Sequence, residues 1–376
     1  MRPIPPVHFT GIVIGPSGFA GEGRQFLAAI EAAGMQPSLS GYSLGSNACS
    51  LPAEEAQLIQ RCAARTKQPG GITVHHNLIP HFEPDPQAAV NVLITVFEAE
   101  GLPPGWACSA NRADSVIVLT DFNRRTFSDA GVDAARLTVI PPPFPAARFR
   151  PRTSRRGASP FRWLSVFDWQ QRKGPDVLLS AFGRTFAEGE AELTLKLMSD
   201  ARFSQSQIQA YCARVVGESA RGRPPKIRVI DTTMDLEKLI DCYREADGFV
   251  LASRGEGWGR PVHEAMLMEL PVVASHGSSL QTLLPDASVG YPVRCSRQAV
   301  SEIAAMETPV FSGLDWHEPD AQHLQLSMRE VVDDPISAQR RASRGRQHVL
   351  SLCDPQRITA MLSHHLENLS HPARPA

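Results

Sequence analysis

The sequence has 376 residues, a mass of 41.0 kDa, 42% hydrophobic residues and 20% charged residues. That length predicts two or three domains with large buried cores, and the composition excludes a disordered chain. Lys plus Arg is 38 and Asp plus Glu is 39, a net charge of −1. This excludes a broad phosphate-neutralising surface for duplex nucleic acid, while leaving room for one local basic pocket.

The first half reads as strands alternating with helices. His8 to Ile14 is a strand that runs into the glycine-rich turn GPSGFAGEGR, and Gln25 to Ala33 is a helix stopped by Gly34. Gly18 and Gly21 are the positions in this turn chosen for close approach to a ligand. Ile72 to His76, Asn91 to Val96, Ser115 to Thr120 and Leu137 to Ile140 are further strands. The third of these feeds a short helix ending near Gly131, with Asp121 or Asn123 as its cap. His75 and His76 close one strand; adjacent strand residues point to opposite faces, so one of the two is expected to face a ligand.

Residues 141–160 hold six prolines and five arginines (148, 150, 152, 155 and 156) without periodicity, the mark of a linker. A second alternating block follows. Its strands are Phe161 to Phe167, Leu193 to Met198, Ile227 to Ile230, Phe249 to Ala252, Pro271 to Ala274 and Val289 to Val293, and Pro175 to Phe186 is a helix. From Trp316 to about Leu369 the chain reads as helices broken at Asp334-Pro335 and Asp354-Pro355, with no strand and a frayed end. Alternating strands and helices call for parallel sheets covered on both faces. The reading is therefore α/β: a Rossmann-like domain over residues 1–145, a linker over 146–160 and a second Rossmann-like domain over 161–335. Helices over 336–376 pack back toward the first domain, and ligand binds in the central cleft at the carboxyl ends of the strands.

Seven scattered cysteines without a C-x-x-C pair fit thiols in a reducing compartment. No signal-peptide core and no run of 18 apolar residues occurs, so a cytoplasmic chain is expected, with peripheral membrane contact left open.

Residues 246–275, ADGFVLASRGEGWGRPVHEAMLMELPVVAS, carry the chemistry. A buried strand enters a glycine-rich turn, Pro261 stands near the first turn of a helix, and a second buried strand follows. Glycines let the backbone approach a ligand, and the helix N-terminus offers N–H groups and positive potential to a phosphate. Glu256 in the turn and Glu264 in the helix, with seven residues between them, suit hydroxyls on either side of a diphosphate, as in a sugar nucleotide. Upstream, Arg172 and Lys173 stand just before Gly174-Pro175 at a helix start, where cations suit a diphosphate leaving group.

The string E-G-W-G-R-P-V-H-E-A-M followed by P-V-V-A-S resembles the E-x7-E motif of family 4 glycosyltransferases, the glycosyl transferases group 1, which are retaining and have the GT-B fold. Residues 173–182 resemble the same family's K-G-x-D-x-L-L-x-A-x segment, and the likeness extends over most of 8–370. The resemblance implies transfer of a glycosyl unit of the hexosyl type from a nucleotide-diphosphate sugar to an acceptor hydroxyl, without a metal or other cofactor. It implies that Glu256 meets the transferred sugar and that amides around Gly257, Trp258 and Gly259 hold sugar and phosphate. Glu264 would hold the ribose, and Lys173 with Arg172 the leaving diphosphate. Asp231, Thr232 and Met234 are placed beside the base, and His75, His76 and Glu98 on the acceptor side. Three positions depart from the family: Phe167 replaces an arginine at a strand end, Glu98 and Glu100 stand where a histidine is usual, and Glu269 replaces a glycine at a helix end. The rival readings are an epimerase or phosphorylase on the same scaffold, and a non-catalytic sugar-nucleotide-binding subunit.

Overall fold

The computed structural model describes residues 5–43, 51–152, 160–198 and 203–370. Cys49, part of the expected linker (153–159) and the expected frayed end (371–376) lie outside them. The chain divides into two compact units: residues 1–97, 101–145 and 352–376 form the first, and 98–100 with 146–351 form the second.

The first unit runs β1 (Val7–Ile14), α1 (Gly18–Ala32), β2 (Ser38–Ser43), α2 (Ala53–Ala63), β3 (Ile72–His76), β4 (Val90–Ile94), α3 (Trp106–Ala110), β5 (Ser115–Val118), α4 (Asp121–Asp129) and β6 (Leu137–Val139). Its six strands form one parallel sheet in the order β2-β1-β3-β4-β5-β6. The sequence reading missed β2 and α2, and it took the start of α1 for a loop. Ser17 caps α1, its Oγ accepting from the Ala20 amide at 3.1 Å. Gly18 is consequently an exposed first-turn residue and Gly21 a buried helical one. The glycine that permits close approach here is Gly23. A Cβ on it would lie 2.4 Å from the Ile12 carbonyl oxygen and 2.9 Å from His76 Nδ1, so Gly23 lets α1 seat closely on the sheet. The cap of α4 is Thr120, whose Oγ1 accepts from the Asn123 amide, instead of Asp121 or Asn123.

The second unit runs β7 (Phe161–Asp168), α5 (Pro175–Thr185), β8 (Ala191–Met198), α6 (Gln205–Ser219), β9 (Lys226–Asp231), α7 (Leu236–Glu245), β10 (Gly248–Leu251), α8 (Arg260–Leu267), β11 (Val272–Ser275), α9 (Leu280–Leu283), β12 (Tyr291–Val293), β13 (Cys295–Ala299), α10 (Glu302–Glu307), β14 (Asp315–Pro319), α11 (Ala321–Asp333) and α12 (Pro335–Leu352). Six of these strands form a parallel sheet in the order β12-β11-β10-β7-β8-β9. Phe249, Val250 and Leu251 at its centre are fully buried, each contributing about 1.5–3 kcal/mol from burial. The chain winds outward from β7 on one side and from β10 on the other. The topological switch point, where α/β sheets bind ligands, therefore falls between the carboxyl ends of these two neighbouring strands.

The expectation of a strandless tail is corrected. Asp315–Pro319 pairs antiparallel with Cys295–Ala299, two segments poor in β-branched residues that depend on each other's ladder. The helix breaks fall at Pro335 and Pro355, and α13 (Pro355–Ser370) packs on α1 in the first unit, where His365 Nε2 meets Ser115 Oγ at 2.9 Å. Glu269, where the resembling family has glycine, has a left-handed φ of 57°. A non-glycine residue there costs on the order of 1 kcal/mol. Its carboxylate offsets this by accepting from Gln339 Nε2 at 2.8 Å and from Ser343 Oγ, both on α12.

Candidate active site

The site grows from the switch-point strands of the second unit. After β7 the chain makes a 3-10 turn over Gln171–Lys173, closed by Gly174 with φ 64°. A Cβ on Gly174 would lie 2.0 Å from the carbonyl oxygen of Ala252, just past the end of β10. Both conformation and contact exclude a side chain, so this glycine presses the Lys173 turn against the Glu256 loop. Gly174→Ala is expected to destabilise the second unit by about 2 kcal/mol or more, read as a lower midpoint in denaturant. An unchanged midpoint would show that the two loops are not in register.

Lys173 and Glu256 meet there. The ammonium donates to both carboxylate oxygens, at 2.7 and 2.9 Å, and the two residues are 8% and 5% exposed. The Glu256 amide donates to Ser278 Oγ at 2.9 Å, which fixes the carboxylate's base. Burial raises the Glu256 pKa, but Lys173 and Arg172 outweigh it and hold the group below its ordinary value. Arg172 donates through Nη1 to the Gly255 carbonyl, stands 3.5 Å from Glu98 Oε1 through Nη2, and lies 5.7 Å over the Phe311 ring. Phe167, at the position of the family arginine, is buried against Trp169. Arg172 is thus a second cation beside Glu256, supplied from the loop after the strand.

Gly259, with φ 87°, turns the chain into α8, whose first amides precede any intrahelical acceptor. Trp258 faces the interior, its indole N–H donating to His263 Nδ1 at 3.1 Å, so only its backbone can serve a ligand. Burial, with help from Arg260 and His348, pushes His263 down to about 3, which keeps Nδ1 an acceptor. Glu264 follows one turn into α8. Its Oε2 accepts from Tyr243 Oη at 2.9 Å and its Oε1 lies 3.7 Å from Arg260. Burial dominates here and raises the Glu264 pKa, only partly opposed by Arg260 and Tyr243.

The second unit therefore brings together Glu256, Lys173, Arg172, Glu98, Gly257, Trp258, Gly259 and Glu264. Asp231, Thr232 and Met234 occupy the end of β9 and the loop into α7, three strand spacings or about 14 Å across the sheet from β10. Gly18, Gly21, His75 and His76 belong to the first unit. Both histidines, expected on the acceptor side, are buried. His75 Nε2 pairs with Asn91 Oδ1 at 2.9 Å, with its ring edge-on to Phe82, while His76 Nε2 pairs with Glu22 at 3.1 Å under the stacked Phe19 ring. Sequence reasoning missed Tyr243, Ser278 and Arg254. Only Arg254 carried a signal, a cation at the end of an apolar strand.

Residues 161–307 match the family described as Glycosyl transferases group 1. The matched stretch lies in the second unit and contains Lys173, Glu256 and Glu264. It is 26% identical over 245 residues to a D-inositol 3-phosphate glycosyltransferase of Kineococcus radiotolerans, covering 59% of this chain and 50% of that protein. It is 30% identical over 188 residues to the protein of that name from Geodermatophilus obscurus, covering 47% and 41%. The chain thus spans about half the length of the curated relatives it matches. Among solved structures, HepE of Anabaena, crystallised with UDP and glucose, superposes with a TM-score of 0.66 at 16% identity, covering 97% of this chain and all of that one. The sucrose-phosphate synthase of Thermosynechococcus elongatus gives 0.68 at 17% identity, covering 98% of this chain and all of that one. The fold is GT-B. Among the described residues no helix is long and apolar enough to cross a membrane.

Proposed function

We propose that this chain is a glycosyltransferase that moves a hexosyl group from a nucleotide-diphosphate sugar to an acceptor hydroxyl with retention of anomeric configuration. The observation that carries this is the Lys173–Glu256 pair at the sheet's switch point, followed by the α8 N-terminus and Glu264. A diphosphate seated on the first amides of α8 has Lys173 and Arg172 at hand and carboxylates toward each end. In the reaction, the bond from the anomeric carbon to the leaving phosphate oxygen breaks as the acceptor oxygen bonds the same face. The departing phosphate takes the acceptor's proton. Lys173 and Arg172 hold the charge that develops on the diphosphate, the largest kind of protein contribution to such a step, and no metal is needed for that role. Glu264 holds the ribose, Glu256 the sugar, and Glu98 an acceptor hydroxyl. Asp231, Thr232 and Met234 line the base.

HepE was also crystallised with UDP-glucose, so uridine donors are tested first. One nucleoside diphosphate is expected to raise the melting temperature above all others, since ligand at a hundred times its Kd adds about 2.7 kcal/mol of stability. The matching nucleotide sugar should give a glycosylated acceptor whose anomeric proton coupling matches that of the donor. Product carrying the opposite anomer would refute retention. A changed sugar without any acceptor product would favour the epimerase. Binding without hydrolysis or transfer by the isolated chain would favour the non-catalytic subunit.

A further inference from the structure

Arg254 lies two residues before Glu256, and its side chain is only 6% exposed. A guanidinium has five N–H donors in a fixed fork, and this one uses all five. Nε and Nη2 donate to the two oxygens of Glu318 on β14. Nη1 and Nη2 donate to the two oxygens of Asp176 in the first turn of α5, at 2.9 and 2.8 Å. Nη1 also donates to the Gln171 carbonyl at 2.6 Å, and the group lies 5.1 Å over the Trp316 ring. Its backbone repeats the connection, the Arg254 amide donating to the Arg172 carbonyl at 2.7 Å and the Arg254 carbonyl accepting from the His317 amide at 2.9 Å.

Two carboxylates neutralise this cation and no donor remains for a phosphate. Arg254 is therefore not the arginine that replaces the one missing at Phe167. Its contacts bracket the turn that carries Arg172 and Lys173, at Gln171 on one side and Asp176 on the other, while Arg254 itself belongs to the loop that carries Glu256. We propose that Arg254 is a positioning residue: it clamps the Lys173 turn to the Glu256 loop and sets the spacing of the two charged groups, with the β13–β14 hairpin as its outer anchor through Glu318. The catalytic consequence rests on the proposed function; the mechanical one does not.

The test compares the natural chain with Arg254→Lys, which keeps the charge and loses the fork, and with Glu318→Gln, which loosens only the outer anchor. Amide hydrogen exchange needs no ligand. In Arg254→Lys, exchange over 170–178 and 253–258 should quicken about tenfold or more while α11 is unchanged, because the local opening is cheaper. Glu318→Gln should act in the same direction and more weakly. With nucleotide sugar, kcat of Arg254→Lys should fall about a hundredfold and the donor KM by less than threefold either way, the pattern of misplaced groups. The acid limb of its kcat profile should move to higher pH, because Glu256 is less closely held by Lys173. Unchanged exchange in folded Arg254→Lys overturns the clamp, whatever the ligand. Quickened exchange with unchanged kcat and pH profile in a chain that turns over donor overturns the positioning role. If the natural chain binds and cleaves no nucleotide sugar, the proposed function fails and the exchange result still decides the clamp.

Discussion

Replacing Lys173 by alanine is expected to lower sugar transfer about a thousandfold and, in the same step, to cost the second unit about 3–5 kcal/mol of stability. On the proposed function, the first effect follows from removing a cation from the place where leaving-group charge would develop. The second follows from the burial of its partner, since Glu256 is 5% exposed and its carboxylate accepts twice from Lys173. Without the ammonium, that carboxylate is buried with only the more distant charge of Arg172 to compensate it. The two effects separate in a double-mutant cycle. Lys173→Met with Glu256→Gln replaces the pair by neutral groups of similar size, and should recover most of the stability and none of the transfer. If the double variant were as unstable as the single one, burial of an unpaired charge would be the wrong cause.

The pH dependence has a definite sign. Glu256 has its folded-state pKa lowered by Lys173 and Arg172 against the effect of burial, so the pair's stability is present above the ordinary carboxylate value. It is lost as pH falls through the lowered value. In Lys173→Ala the lowering weakens, and acid unfolding should begin at higher pH. Acid titration of unit 2 fluorescence in both chains measures this.

The fold and the neighbourhood of half of the candidate residues were legible because their signals are local. Alternating apolar runs named both parallel sheets, and the strand–turn–helix–strand unit around Glu256 and Glu264 fits within 30 residues. Lys173 was legible because Gly174-Pro175 marks a turn into a helix, and the structure gives the reason for the glycine in its contact with Ala252. What stayed hidden depends on partners far along the chain. Arg254 is defined by Asp176 and Glu318, which lie 78 and 64 residues away. Ser278 is 22 residues beyond the amide it receives, and β13 and β14 are strands only because each supplies the other's ladder. Gly18 to Gly23 reads as a loop because glycine costs a helix about 1 kcal/mol per residue. The close seating of α1 on Ile12 and His76 reverses that preference, and it appears in no local pattern. The surroundings of the histidines are equally non-local: His75 Nε2 meets Asn91 and His76 Nε2 meets Glu22, partners that only the fold brings near.

Glu264→Gln is expected to make the chain more stable at neutral pH and to remove most of its nucleotide affinity. The carboxyl of Glu264 has its pKa raised, chiefly by burial, and Arg260 at 3.7 Å and the Tyr243 hydroxyl compensate only in part. A raised folded-state value means that the protonated form suits the fold. The associated stability is present below the ordinary carboxylate value and lost as pH rises through the raised one. At neutral pH the ionised group is therefore a strained presence in the free protein, of the kind kept where function needs it. Glutamine keeps an oxygen for the Tyr243 hydroxyl and carries no charge. The melting temperature at pH 7 should rise by roughly 2–4 °C, and the gap should close as the medium is acidified below the ordinary carboxylate range. On the proposed function, affinity for the nucleoside diphosphate should fall about ten- to a hundredfold, because a charged acceptor for the ribose hydroxyls becomes a neutral one. For the same reason nucleotide affinity of the natural chain should weaken on acidification before that of a carboxylate with an ordinary pKa would. Calorimetry across about pH 3–8 on both chains reads all three effects. A variant that binds nucleotide as tightly as the natural chain would remove Glu264 from the site. One that is less stable at neutral pH would show instead that the Arg260 and Tyr243 contacts outweigh the cost of burying the charge.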